Sequence, residues 1–152
     1  MPTLTSRQAR TIVDAAFDAA RKANFKPMGV VVVDASAQVV ASAREDGASP
    51  LRLDIALGKS GAAVGMGTNS RALVQRAKDM PAFFAAIPAV AQQKFIPQTG
   101  AVLILDAQGA VVGSDTLTAN YTGPGVSLAG KLAIHEIMYH AATPAAGVVE
   151  IH

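Results

Sequence analysis

The sequence predicts an α+β domain built on antiparallel hairpins. Two short, strongly apolar runs, residues 28–34 and 100–105, are each followed by an Asp-led polar turn and a second extended run. That is the pattern of a hairpin. The segments around them return to helical spacing. The order is helix, hairpin, helices, hairpin, helix, and hairpins pair strands antiparallel, so a doubly wound parallel sheet is excluded.

Residues 5–24 read as the first helix. Thr5 caps it, and Gln8 three places on completes the capping-box spacing. Ile12, Val13, Ala16, Phe17 and Ala20 make one apolar face, with Arg10, Asp14, Asp18 and Arg21 mostly opposite. Asn24 and then Pro27 stop the helix. The run 28–34 suits a strand covered on both faces. Asp34 to Ala37 supply turn chemistry, and residues 38–44 return as a second strand.

A loop at 46–50 leads to a helix over 53–66. That helix holds Gly58, Ser60, Gly61 and Gly65. An interior Gly costs about 0.5–1 kcal/mol relative to Ala, so several of them predict a second backbone packed close. Asn69 or Ser70 caps a short helix through Lys78. Pro81 opens another through about Ala91, with Pro88 expected to disturb its end. Residues 100–105 form the next strand, 106–109 a turn, and 110–113 begin the return. Residues 114–126 are polar and Gly/Pro-rich and read as a loop. Ser127 caps a last helix to about Ala142, ended by Pro144, and 147–151 make a short final strand.

The 152 residues fit one domain over 1–152. There is no Cys, which excludes disulfides, thiolate catalysis, Cys-ligated zinc and iron–sulfur clusters. With 51% hydrophobic and 16% charged residues, against a usual ~25% charged, the chain is not a disordered tail. Ala accounts for 31 residues, and so apolar a small domain points to burial against another copy of itself. The net charge is +2, and the cations are scattered without interleaved aromatics. Nucleic acid is therefore not an expected partner. No window reaches about 18 uninterrupted apolar residues, so no membrane span is expected. No apolar signal core follows Met1, and the expected location is cytoplasmic.

Three segments together resemble a known family. They are Lys26-Pro27-Met28-Gly29-Val30-Val31-Val32-Val33-Asp34, then Arg44-Glu45-Asp46-Gly47-Ala48, then Asp54-Ile55-Ala56-Leu57-Gly58-Lys59-Ser60. They resemble the GlcG/HbpS-like family, which includes the C-terminal domain of PduO-type proteins. The similarity spans about residues 4–113, and its specific part is Arg-x-Asp-Gly-Ala followed by Ile-Ala-x-x-Lys. The resemblance implies a profilin-like fold with a central antiparallel sheet. It implies homo-oligomers from dimer to octamer, and small-ligand binding, with haem or a corrinoid-related role in some members. After Gly113 the chain departs from the family's Gly-rich strand and acidic loop, reading Ser114-Asp115-Thr116-Leu117-Thr118-Ala119-Asn120-Tyr121.

Arg44 and Asp46 flank the loop after the second strand, and Lys59 lies on the small-residue helix. One reading is a pocket for a small anionic ligand, an organic acid or a haem propionate, because a guanidinium can clamp a carboxylate through two N–H bonds. The other is an Arg44–Asp46 or Lys59–Asp46 ion pair that pins the loop. In an enzyme acting on a small organic acid, Arg44 would anchor the carboxylate and Lys59 or Asp46 would handle a proton. A structural or assembly protein without ligand is the third reading. His135 and His140 are five apart, so their side chains diverge by roughly 140° on a helix, unlike a metal-binding pair four apart. Each remains a candidate lone axial ligand for haem. Met66, Met80 and Tyr121 are weaker haem candidates, read first as two gap-fillers and an exposed ring. The Gly58, Gly61, Gly65, Gly67 series matches neither dinucleotide nor P-loop spacing, and no Gly-x-Ser-x-Gly elbow appears.

Overall fold

The computed structural model describes residues 3–117, 127–128 and 132–134. The elements run α1 (Ser6–Lys22), β1 (Gly29–Asp34), β2 (Val39–Arg44), α2 (Arg52–Met66), α3 (Ser70–Asp79), α4 (Pro81–Val90), β3 (Ala101–Asp106), β4 (Val111–Leu117), β5 (Ser127–Leu128) and β6 (Leu132–Ile134). One sheet has the order β2-β1-β4-β3-β6-β5, with every neighbouring pair antiparallel. The two hairpins, β1–β2 and β3–β4, join through β1 and β4. This is the expected α+β architecture.

Helix α1 begins as its sequence dictates. Thr5 Oγ1 accepts the Gln8 N–H at 3.2 Å, and Gln8 Oε1 accepts the Thr5 N–H at 2.9 Å. Its apolar stripe, Ile12, Val13, Ala16 and Ala20, packs on Val30, Val32, Val102 and Ile104. Helix α2 covers the opposite face, with Ala56 on Val31 and Val33 and Ala63 on Ala101 and Leu103. Alternate valines of β1 thus enter different cores, which is why that strand is apolar throughout rather than alternating. Helices α3 and α4 pack beside α2 through Leu73, Phe84 and Ala62.

The two hairpins use one turn solution. Asp34 Oδ1 accepts the N–H groups of Ser36 and Gln38 at 2.8 and 3.0 Å, and Asp106 Oδ1 those of Gln108 and Ala110 at 2.9 and 2.8 Å. The left-handed position is Ala37 (φ 60°) in the first and Gly109 (φ 81°) in the second.

The close backbone that the small residues of α2 predict belongs to this same chain. A Cβ on Gly58 would lie 2.6 Å from Ile96 Cγ1, and one on Gly61 would overlap the Lys94 carbonyl oxygen. Ile96 N–H donates to the Gly58 carbonyl at 2.9 Å.

Three expectations are corrected. Neither Asn69 nor Ser70 caps α3 through its side chain. Asn69 Oδ1 instead accepts the Leu103 N–H at 2.8 Å, and Ser70 Oγ the Ala101 N–H at 2.9 Å, tying α3 to β3. Helix α4 runs through Pro88 to Val90, one residue short of the expected Ala91. Strand β4 continues past Gly113 to Leu117 because partners on both sides claim its backbone. The expected helix over 127–142 is not formed at its start. Ser127–Leu128 and Leu132–Ile134 are strands, and β6 pairs with β3. A short apolar run has ambiguous periodicity, and the open edge of β3 decides it. The expected final strand over 147–151 lies outside the described residues.

Candidate functional site

The chain from β2 to α2 is held by a carboxylate. Glu45 Oε2 accepts the Met28 N–H at 2.6 Å and an Arg21 Nη2 hydrogen at 3.0 Å, while Glu45 Oε1 meets Arg21 Nε at 2.9 Å. Arg21 thereby links the end of α1 to the end of β2. Arg44 Nη1 donates to the Ala48 carbonyl at 2.7 Å, closing the loop, and Gly47 takes the positive φ (80°) that the bend needs. The ion pairs expected from the sequence, Arg44–Asp46 or Lys59–Asp46, do not form. The backbone carbonyl of Ala48 and the Glu45 carboxylate do that pinning, and Asp46 stays exposed at the rim.

This loop delivers α2 directly over Gly29. A Cβ on Gly29 would sit 2.9 Å from Arg52 Cβ, so only the bare backbone lets the helix start there. Gly29 is also the register partner of Arg44. Cross-strand partners share a sheet face, so Arg44 and Arg52 share one end of the α2 face. Lys59 is seven residues along α2 from Arg52. Two turns bring it back to nearly the same side, about 10 Å further along the axis. Arg44 and Arg52 therefore share one end of the sheet, and Lys59 lies two turns along α2, near enough for the Arg52 charge to act on it.

Two of these cations are poorly answered. Arg52 Nε is buried without a hydrogen-bond partner. Lys59 is half-buried, and its pKa is lowered first by burial and then by the Arg52 charge. Among the described residues none of the three cations has a carboxylate partner. The nearby Asp54 is engaged by Lys94. The sequence reading found Arg44 and Lys59 but not Arg52. A lone Arg before a helix looks solvated; the signal for it was its seven-residue spacing from Lys59.

A second group was also missed. Asp115 on β4 is 1% exposed, its Oδ1 has no partner, and burial pushes its carboxyl up to about 7. A cleft of about 200 Å³ lined by Thr3, Leu4, Asp34, Ser36 and Val111 lies at the opposite, turn end of the sheet, away from the cations. Met66 packs among Leu73 and Phe84, Met80 is exposed, and Tyr121, His135 and His140 lie outside the described residues. Among the described residues no three His, Cys, Asp or Glu side chains gather to hold a metal, and no helix is long and apolar enough to cross a membrane.

The family model of haem-degrading HbpS-like proteins matches residues 4–118. No curated protein matches the chain. Among solved structures, HbpS is similar at 24% identity and a TM-score of 0.66, over 81% of this chain and 81% of that one. A double mutant of Streptomyces reticuli HbpS gives 26% identity and 0.65, over 76% and 74%. A complex of PduOC with haem gives 21% and 0.65, over 76% and 81%.

Proposed function

The chain belongs to the haem-degrading HbpS-like family, and on that premise we propose that it is a self-associating protein that binds a small, haem-related anionic ligand. The observation that supports this reading is that Arg44 and Arg52 share one end of a sheet face, with Lys59 two turns along α2, and none of them has a carboxylate partner among the described residues. Arg44 spends one N–H on Ala48 and keeps its remaining donors for a ligand carboxylate. Lys59 supplies a second positive charge, and Asp46 stands at the rim to accept from ligand donors.

Of a bound haem, the described cations would meet the propionates. Its propionates are carboxylates, the group that guanidinium and ammonium bind with charge-assisted hydrogen bonds. His135 or His140, both outside the described residues, would be the candidates to hold its iron. Support for haem comes from the similar PduOC structure, which is a haem complex. Haemin titration followed at the Soret band tests this. A saturable shift is expected, and Arg44→Gln or Lys59→Gln should weaken it roughly tenfold, the loss of one charged hydrogen bond worth about 1.5 kcal/mol. No saturable shift in the wild type ends the haem reading.

A second reading is an enzyme acting on a small organic acid, with Arg44 as carboxylate anchor. It is favoured by the lowered pKa of Lys59, which raises the fraction of free amine able to take a proton. Self-association is supported by α4, whose ten residues carry no charge while Phe83 and Val90 face solvent.

A further inference from the structure

We infer that Arg52 and Lys59 form a two-cation clamp for one oxyanion group of the ligand, a carboxylate or a phosphoryl. The inference rests on the reading of this end of the sheet as a ligand site, and not on the ligand being haem.

The other cations near the site are already answered. Arg21 has Glu45, Lys94 has Asp54, and Arg44 has the Ala48 carbonyl for one of its N–H groups. Arg52 and Lys59 are not. Arg52 Nε has given up its water and received no acceptor in return. A buried N–H in that state costs its full desolvation, and a charged one costs more. Lys59 is half-buried beside a like charge.

Arg52 is also the first residue of α2, where no side chain caps the free N–H groups and the helix end is itself positive. An anion arriving between Arg52 and Lys59 would offset both charges and the positive helix end. Packing over Gly29 uses the Arg52 Cβ and not its guanidinium. Chemistry divides the two roles. The planar guanidinium presents paired N–H groups to two oxygens, and the Lys59 ammonium approaches as a point charge from the next turns.

Isothermal titration of the full chain with sodium succinate and with inorganic phosphate, at low salt, tests the clamp. The wild type should bind at least one saturably. Arg52→Gln and Lys59→Gln should each weaken binding tenfold or more, while Arg76→Gln on exposed α3 should not. Arg52→Lys guards against misfolding: it keeps the charge, loses the fork, and should retain binding weaker than wild type. An independent readout is Lys59 itself, isotopically methylated and followed by NMR. Bound anion should raise its pKa.

Unchanged affinity in both Gln variants, or no binding of either anion by the wild type, overturns the clamp. If haemin binds but neither small anion does, the clamp fails and the ligand reading stands. If succinate or phosphate binds through Arg52 while haemin gives no Soret shift, the clamp stands and haem falls. The tighter of the two anions tells carboxylate from phosphoryl.

Discussion

Asp115 sits where a valine would be expected. Its register partners are Val32 on β1 and Val102 on β3, both buried in the core under α1. A carboxylate there has lost water and found no donor for Oδ1, so burial lifts its pKa to about 7 from an ordinary 3.8. The folded state therefore keeps a proton that the unfolded chain releases. Stability from this group is fully present below about pH 4, falls as pH rises toward 7, and is flat beyond. The slope is roughly 1.4 kcal/mol per pH unit inside that window. Urea unfolding should show a lower midpoint at pH 8 than at pH 5, and Asp115→Asn should remove most of that difference. An unchanged difference in the variant would assign it elsewhere. Asp115 was not legible in the sequence, and of Arg52 only its spacing from Lys59 was. Residues 114–126 have loop composition, and only pairing on both sides of β4 puts Asp115 in the core. Arg52 acquires its setting from Gly29, twenty-three positions earlier.

Elements were more legible than residues, because periodicity and turn chemistry are local. The Thr5–Gln8 cap and both Asp turns formed as the residues dictate. Where reading failed, a distant partner had intervened, as when Asn69 and Ser70 gave their caps to β3. The small residues of α2 gave half an answer: they announced a close neighbour without saying it was the chain's own 93–96 segment. Gly61→Ala tests which effect governs there. Helix propensity favours Ala by about 1 kcal/mol. The new methyl would overlap the Lys94 carbonyl oxygen, which is backbone and tied nearby by the Ile96–Gly58 bond. Overpacking typically costs about 1–3 kcal/mol, so the variant should be less stable by thermal or urea unfolding. A more stable Gly61→Ala would mean the segment moves aside.

At the scale of the whole molecule, the low charge of the chain finds a place on α4. The helix runs Pro-Ala-Phe-Phe-Ala-Ala-Ile-Pro-Ala-Val, yet only Phe84 is buried. Phe83 is 52% exposed, Val90 80% and the preceding Met80 42%. Contiguous apolar surface of this kind on a small domain marks an interaction site. An uncharged helix offers nothing to select a charged partner, whereas a second α4 would match it apolar face to apolar face, with Ala85, Ala86 and Ala89 allowing close approach. Light scattering after size exclusion should therefore give the wild type a mass above that of one chain. Phe83→Glu buries a charge in such a contact and leaves the Phe84 core contact with Leu73 in place. It should lower the mass toward 15.5 kDa while the thermal midpoint of the domain changes little. A wild type that already runs at the mass of one chain would defeat self-association through α4. An oligomer indifferent to Phe83→Glu would place the contact on another face.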